Sequence, residues 1–396
     1  MKKVMAVNSG SSSLKFQLLE MPEEQVISSG IVERIGLKDS VFTLKFNGEK
    51  HEMVKDIKDH NEAVNLLLEK LLEYKILASF DEIAGVGHRI VQGGTLPDSV
   101  LLGEKELAYV EELCDLAPLH NPAHLIGIRA FMELLPSVPN VGVFDTSFHQ
   151  TMKEEAFLYA TPYEWYTDHK VRKYGAHGTS HRYVSQRCAE IMGKNVEDTN
   201  IIVAHIGNGA SLCAVKGGKS VDTSMGLTPL GGIPMGTRCG DLDPAIIGFM
   251  SEKLNKTAPE LITMCNKQSG YLGVSGVSSD SRDLDKGVKE GNERCKLAID
   301  VQAKRIVDFI SSYYVYMGGA DAIVFTAGIG ENAPSTRKNV IDRLAVLGVK
   351  LDEEANNCRG VERLISAEDS KFKVYVIPTN EEIMIARDVV RLGNIL

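Results

Sequence analysis

Apolar residues along the chain fall into short runs and alternations before they form helical stripes. Val4–Asn8 is a short apolar run, Ser9–Ser13 has turn chemistry, and Phe16–Leu19 resumes the run. Val32 and Ile35 continue it, and Val41–Phe46 alternates up to the Asn47-Gly48 turn, which reads as a β-meander. A helix is expected next. Asp59 can cap it, Glu62 completes a capping box, and Val64, Leu67, Leu68, Leu71 and Leu72 share one face. The same pattern returns after residue 200: strand Ile201–Ile206, hairpin turn Asn208-Gly209, strand Leu212–Val215, then Gly217-Gly218 turning into Ser220–Ser224. A long amphipathic helix near Asn292–Tyr316 and a buried strand Ala322–Thr326 ending in glycines follow. Phe372–Ile377 reads as the last strand. Thr379-Asn380-Glu381-Glu382 then opens a helix with capping-box spacing that runs through Met384, Ile385, Val389 and Leu392 and stops at Gly393. The pattern, not residue identity, predicts an α/β chain of two similar meander-plus-helix halves; chance recurrence of hairpins is the alternative.

Glycine-bearing polar loops at predicted strand ends carry the candidate chemistry. Asn8–Lys15 offers a glycine, hydroxyls at Ser11, Ser12 and Ser13, and the Lys15 charge; it reads as a phosphate cradle, against a plain serine hairpin. It is not a Walker A loop, and Gly218-Lys219-Ser220 lacks the required first glycine. Gly87–Gly94 places Arg89 before a Gly-Gly turn, either a carboxylate or phosphate clamp or a surface arginine. Asp145 ends the strand Val141–Phe144, either orienting a site or capping a helix. His177 and His181 are spaced for a metal on a helix, but Gly178 argues against a helix there; a histidine near a phosphate or a packed histidine are the other readings. Gly328–Asn332 reads as a variant of the dinucleotide fingerprint, but together with His205–Gly209 it fits a paired ATP site equally well. Met235–Pro244 sets Arg238 among glycines with Asp241 and Asp243, suited to a transferring phosphoryl group or to a surface ion pair.

Composition narrows the class. The 396 residues are 43% hydrophobic, 24% charged and 6% aromatic, as in a globular protein, and the length suggests two domains or three. Forty-four Lys+Arg against 53 Asp+Glu leave a net charge of −9 with no basic block. Generic nucleic-acid or anionic-membrane binding is therefore not expected, and any anion must be held locally. Seven cysteines without a Cys-x-x-Cys pair exclude a disulfide scaffold and a Cys-rich zinc module, and suggest reduced thiols in a cytosol. Val4–Val7 is too short for a signal peptide core, and no apolar stretch of about 18 residues occurs, so a cytoplasmic protein is expected.

Taken in order, Asn8–Lys15, Gly87–Gly94, Ala117–Pro122, Phe144–Gln150, Arg172–His181, His205–Gly209, Met235–Pro244, Gly328–Asn332 and Thr379–Glu382 resemble the acetate kinase family over essentially the whole chain. The resemblance implies an α/β fold of two duplicated ribonuclease-H-like (actin-like ATPase) domains around a central cleft. Their expected extents are 1–148 plus 381–396, and 149–380. It also implies a cytoplasmic homodimer that uses ATP and Mg²⁺, or Mn²⁺ instead, to convert acetate reversibly to acetyl phosphate and ADP; direct in-line transfer is the preferred route, with passage through a phosphorylated carboxylate left open by the sequence. By the same resemblance, Asn8 and Glu381 lie near the metal, with Ser11, Ser13 and Lys15 along the phosphates. Arg89 binds the acetate carboxylate, Arg238 the moving phosphoryl group, His177 stabilises the transition state, Asp145 is the essential carboxylate, and His120 lies nearby. The nucleotide is held by His205, Ile206, Gly207, Asn208 and Gly209, by Asp280, Ser281 and Arg282, and by Gly328, Ile329, Gly330, Glu331 and Asn332.

Acetate is already a nucleophile, so no strong base is needed, and Asp145 is expected to orient an arginine or a metal-bound water. Three positions depart from the family pattern: Ser9 for alanine, Gln92 for histidine, and Ala176 for phenylalanine. In the family that ring walls the methyl pocket with Val91, Leu119 and Pro229, so its loss would enlarge the acyl site and favour propionate, unless a neighbour refills the gap. The competing functions are a propionate or butyrate kinase, a nicotinamide dehydrogenase, and a non-acyl actin-like ATP-binding protein.

Overall fold

Val4, Met5, Ala6 and Val7 are all buried because β1 (Lys2–Gly10) has a layer on each face. Met5 and Val7 pack with Leu14, Phe16, Val64, Leu67 and Phe131; Val4 and Ala6 pack with Val141, Val143, Ile385 and Val389. Burial on both faces erases the usual alternation and leaves a continuous apolar run. The computed structural model describes residues 1–118 and 120–395. Two compact units are present, Met1–Phe148 with Asn380–Leu396, and His149–Thr379.

In the first unit β1 joins β2 (Ser13–Met21), β3 (Gln25–Glu33), β4 (Val41–Phe46), β5 (Glu49–Val54), β6 (Ile83–Ile90), β7 (Val100–Leu101) and β8 (Asn140–Phe144). The sheet runs β5-β4-β3-β2-β1-β6-β8-β7, an antiparallel meander from β1 to β5 with β6 parallel to β1 and β8 parallel to β6. The helices His60–Glu73 and Asn121–Leu134 cover one face and Glu381–Leu392 the other. On β6, a Cβ at Gly87 would lie 2.3 Å from Ile385 Cγ2, so the missing side chain lets the last helix approach the sheet.

The second unit repeats the plan with β9 (Asn200–Ile206), β10 (Ala210–Lys216), β11 (Lys219–Thr223), β12 (Ala322–Thr326), β13 (Arg363–Leu364) and β14 (Lys373–Val376). Its order is β11-β10-β9-β12-β14-β13, with β12 parallel to both β9 and β14. Thus β3-β2-β1-β6-β8 and β11-β10-β9-β12-β14 have the same arrangement, and the duplication expected from the pattern is present. Ile202, Ala204, Ile323 and Phe325 pack against Ile306, Ile310 and Tyr313 of the helix Glu293–Met317. Asn292 caps that helix, and Gly318 ends it in the left-handed conformation at φ 80°. No helix among the described residues is long and apolar enough to cross a membrane.

Several local expectations are corrected. The Ser9–Ser13 turn shrinks to Ser11-Ser12, because ladder pairing extends until Asn8 faces Lys15 and Gly10 faces Ser13. Asp59 caps its helix, but Glu62 accepts from Lys58 N at 2.9 Å, one residue before the cap, so the capping box is not formed. β6 continues through His88 and Arg89, which are strand residues and not loop residues, since β1 and β8 pair with it on both sides. Gly178 begins the helix Gly178–Ile191; a glycine at the first helical position costs little, and His177 before it takes φ 56°. The stretch 328–332 is a helical turn, Ala327–Asn332, not an open loop. Finally, Asn380 and not Thr379 caps the last helix, accepting from Ile383 N at 3.1 Å.

Candidate active site

In the first unit, Asn8 and Lys15 face each other across a hairpin, and Glu381 starts the helix that packs on β6. These residues, with Arg89 and Glu382, line one pocket floored by Ala6, Val7, Phe16 and Ile385. Arg89 Nε and Nη2 donate to Asp145 Oδ1 and Oδ2 at 2.9 and 2.8 Å, a bidentate pair. Its third nitrogen, Nη1, lies 3.7 Å from Glu381 Oε2. Burial opposes the Arg89 charge, but Asp145 and then Glu381 outweigh it and hold its pKa above the ordinary value. Asp145 is therefore neither a helix cap nor a free base; it fixes the guanidinium.

Burial raises the Glu381 pKa above the usual carboxylate range, with Arg89 opposing. Its Oε1 is buried and has no hydrogen-bond partner among the described residues. An orphaned carboxylate oxygen beside Asn8 and Glu382 fits a hard divalent cation such as Mg²⁺, which takes one or two protein carboxylates and completes its shell with water and phosphate. No cluster of three His, Cys, Asp or Glu suited to a metal occurs among the described residues.

Ser11 is exposed at the hairpin turn and Ser13 is half-buried beside it. Val91 follows β6 directly, and His120 sits at the cap position of the helix Asn121–Leu134. Leu119 lies outside the described residues. Gln92, in the histidine's place, closes the glycine turn: its Oε1 accepts from Gly94 N at 2.9 Å, while its backbone pairs with the Asn121 carboxamide. The sequence reading missed His124, which is buried on that helix. Burial, and then the nearby Arg89 charge, lower its pKa to about 4.

In the second unit, Gly207 and Asn208 after β9, Asp280, Ser281 and Arg282 at a helix start, and Gly328, Ile329 and Asn332 after β12 line one pocket. Asp280 caps the helix Ser281–Lys289 and pairs with Arg282 at 2.6 Å, which lowers its pKa to about 2. Arg359 and Asp285 also line this pocket, unforeseen because neither stands in a glycine motif. Not every expected nucleotide residue faces it. Ile206 is in the core. Gly330 is buried, its carbonyl bonded by Arg337 at 2.8 Å. Glu331 Oε1 accepts from Ala327 N at 2.8 Å and Thr379 N at 3.1 Å, tying the turn to the end of the unit.

His177 and Arg238 come together in this unit. A Cβ on Gly209 would lie 3.7 Å from both His177 Nε2 and Arg238 Nη1, so the glycine leaves open the space that these two groups face. His177 stacks on His205, with centroids 4.1 Å apart and planes at 17°. Arg238 is half-buried; its Nη1 donates to Pro229 O at 3.2 Å, and burial lowers its pKa. It has no carboxylate partner among the described residues, and Asp241 Oδ1 instead accepts from Gly232 N at 2.8 Å. The surface ion pair considered for this loop is not formed. Ala176 is 3% exposed within a cluster containing Met225, Ile233 and Met235, so its neighbours pack around the small side chain.

Comparisons with known proteins identify the family. The model of the acetokinase family matches residues 3–387. The acetate kinase of Geobacillus kaustophilus is 58% identical over 396 residues, covering 100% of each chain. Among solved structures, the acetate kinase of Porphyromonas gingivalis superposes with a TM-score of 0.95 at 47% identity, covering 99% of this chain and 100% of that one. The propionate kinase of Francisella tularensis gives 0.93 at 42%, with the same coverage. The duplicated strand order is thus the actin-like ATPase fold of these kinases, and the chain belongs to the acetokinase family.

Proposed function

We infer that this chain is a phosphotransferase acting on a carboxyl group, moving a phosphoryl group reversibly from ATP to acetate to give acetyl phosphate and ADP. The observation that carries the reading is Arg238: a half-buried cation with no counter-charge among the described residues, set beside His177 over the bare face of Gly209. A desolvated cation of this kind is stabilised by an incoming anion, and phosphoryl transfer needs opposing charge more than covalent help. Acetate attacks as the carboxylate it already is, so transfer in one in-line step needs no strong base.

Arg89, held by Asp145, receives the acetate carboxylate through its remaining N–H groups, with Val91, His120, Ala176 and Pro229 about the methyl group. ATP occupies the pocket of Gly207–Asn208, Asp280–Arg282 and Gly328–Asn332, with Ser11, Ser13 and Lys15 along its phosphates. Asn8 and Glu381 would hold Mg²⁺, which would supply charge neutralisation to the phosphates. The two compact units are taken as its two domains. Seven free cysteines and ATP as substrate support a cytoplasmic location.

A homodimer is also proposed. The helix Ala245–Leu254 buries none of its residues and leaves Ile246 and Phe249 46% and 61% exposed, beside exposed Ile262 on the next helix; a second copy would cover that face.

Acetate-dependent, Mg²⁺-dependent ADP release with an acyl phosphate trapped as hydroxamate tests the reading; ADP release indifferent to acetate defeats it. Acetate is placed ahead of propionate because Ala176 is packed in. A phenylalanine there (Ala176→Phe) should overpack the core and cost about 1–3 kcal/mol. If that variant instead keeps its stability and lowers the propionate-to-acetate ratio of kcat/KM, the enlarged acyl pocket is the better account.

A further inference from the structure

The fully buried hydroxyl of Ser211 on β10 stands between two imidazoles, 2.9 Å from His177 Nδ1 and 2.8 Å from His181 Nε2. It has one proton, so at most one of the two nitrogens receives it, and the other must donate. His181 decides which. Its ring is fully buried, its pKa is pushed well down by burial, and its Nδ1 has no partner among the described residues. A neutral imidazole with its proton on that Nδ1 would bury an unpaired N–H, which native structures almost never do. The proton therefore sits on His181 Nε2 and is donated to Ser211 Oγ. The Ser211 hydroxyl then gives its own proton to His177 Nδ1, and His177 carries its proton on Nε2.

That nitrogen is the one facing the open side of Gly209 beside Arg238 Nη1. Behind the His177 ring, His205 is fixed in turn, its Nδ1 2.8 Å from Ser180 Oγ, which lies 2.7 Å from Thr379 Oγ1. Stacking at 4.1 Å keeps the His177 plane in place. We propose that Ser211 is a positioning residue that sets the tautomer of His177, so that a neutral Nε2–H, and not an imidazolium, is offered to the phosphoryl oxygens alongside the Arg238 charge. The proposal rests on the phosphoryl-transfer reading above. Two adjacent cations would repel each other in the empty site, whereas a neutral donor adds a hydrogen bond without that cost.

Long-range ¹H–¹⁵N spectra of the full-length enzyme labelled at histidine nitrogen test this, with His177→Asn identifying the signal. The expected spectrum near pH 7.5 shows His177 neutral and protonated at Nε2. A proton on Nδ1, or a doubly protonated ring, overturns the proposal whatever happens to any variant. Ser211→Ala should mix the tautomers and lower kcat by ~10-fold, about the effect of one lost hydrogen bond, with the KM for ATP within about twofold. The conservative Ser211→Thr should restore both signal and kcat. An unchanged kcat in Ser211→Ala, or a lowered one with the tautomer intact, also overturns it. If the wild type shows no acetate-dependent ADP release, the functional reading fails, while the spectrum still reports on the tautomer.

Discussion

The two arginines differ in what surrounds them, and their removal should differ accordingly. Arg89 is chelated by buried Asp145, so Arg89→Ala leaves a buried carboxylate unpaired and should cost about 3–5 kcal/mol, besides raising the KM for acetate. Arg238 has no such partner among the described residues, so Arg238→Ala should leave the melting temperature unlowered while kcat falls by ~10³–10⁵. Equal effects of the two variants on both quantities would defeat the distinction. Buried histidines set the acid limit of stability. His88 and His124 both have pKa values lowered from 6.5 to about 4, chiefly by burial. Between those values the unfolded chain binds more protons than the folded one, so stability falls as pH drops from 6.5 towards 4 and is flat with respect to these groups above 6.5. Each contributes about 3 kcal/mol at the acid end. Denaturant unfolding at pH 7 and pH 5 should show a shallower pH dependence in His88→Gln than in the wild type; parallel slopes would count against it. Sequence alone singled out Arg89 and Asp145 and expected Asp145 to orient an arginine or a metal-bound water, but which partner it takes follows only from β6 and β8 lying side by side. Ser211 was invisible because a buried strand serine looks like any other until the histidines around it are placed.

Among the elements, strands and the long helix could be read closely, since burial on one or both faces leaves a regular trace. The strand Ile201–Ile206 and the helix from Asn292 follow from that trace within a residue or so. Caps and loops were read less well. Thr379 and Asn380 can both cap, and only the engagement of the Thr379 hydroxyl with Ser180 settles which one does. Gly87 belongs to this scale too. In the sequence it reads as a loop glycine, yet it is one of the points, with Gly85, where the helix Glu381–Leu392 touches the sheet. Gly87→Ala should push that helix outward, cost about 1–3 kcal/mol, and weaken the dependence on Mg²⁺ by displacing Glu381. Unaltered KM values for both Mg²⁺ and ATP in a destabilised variant would show that the helix start does not move with its body.

For the whole molecule, strand order carried more information than sequence identity. The two sheets share five strands in one arrangement, legible as a repeated meander although the residues differ. The exposed apolar helix Ala245–Leu254 is not legible in the sequence, because its stripe reads like that of any core helix, yet none of its residues is buried. Phe249→Glu should convert a dimer into a monomer by light scattering while leaving the monomer folded; a variant that stays dimeric moves the interface elsewhere. The first unit is also discontinuous, since the helix Glu381–Leu392 belongs to it although the whole of the second unit precedes that helix in the chain. A nascent polypeptide emerging from the ribosome thus exposes the Val4, Ala6, Val141 and Val143 face to water until the second unit, His149–Thr379, has been made. Residue 381 is made only after that unit as well, so a product truncated before it has both an uncovered sheet and no Glu381, the proposed metal ligand.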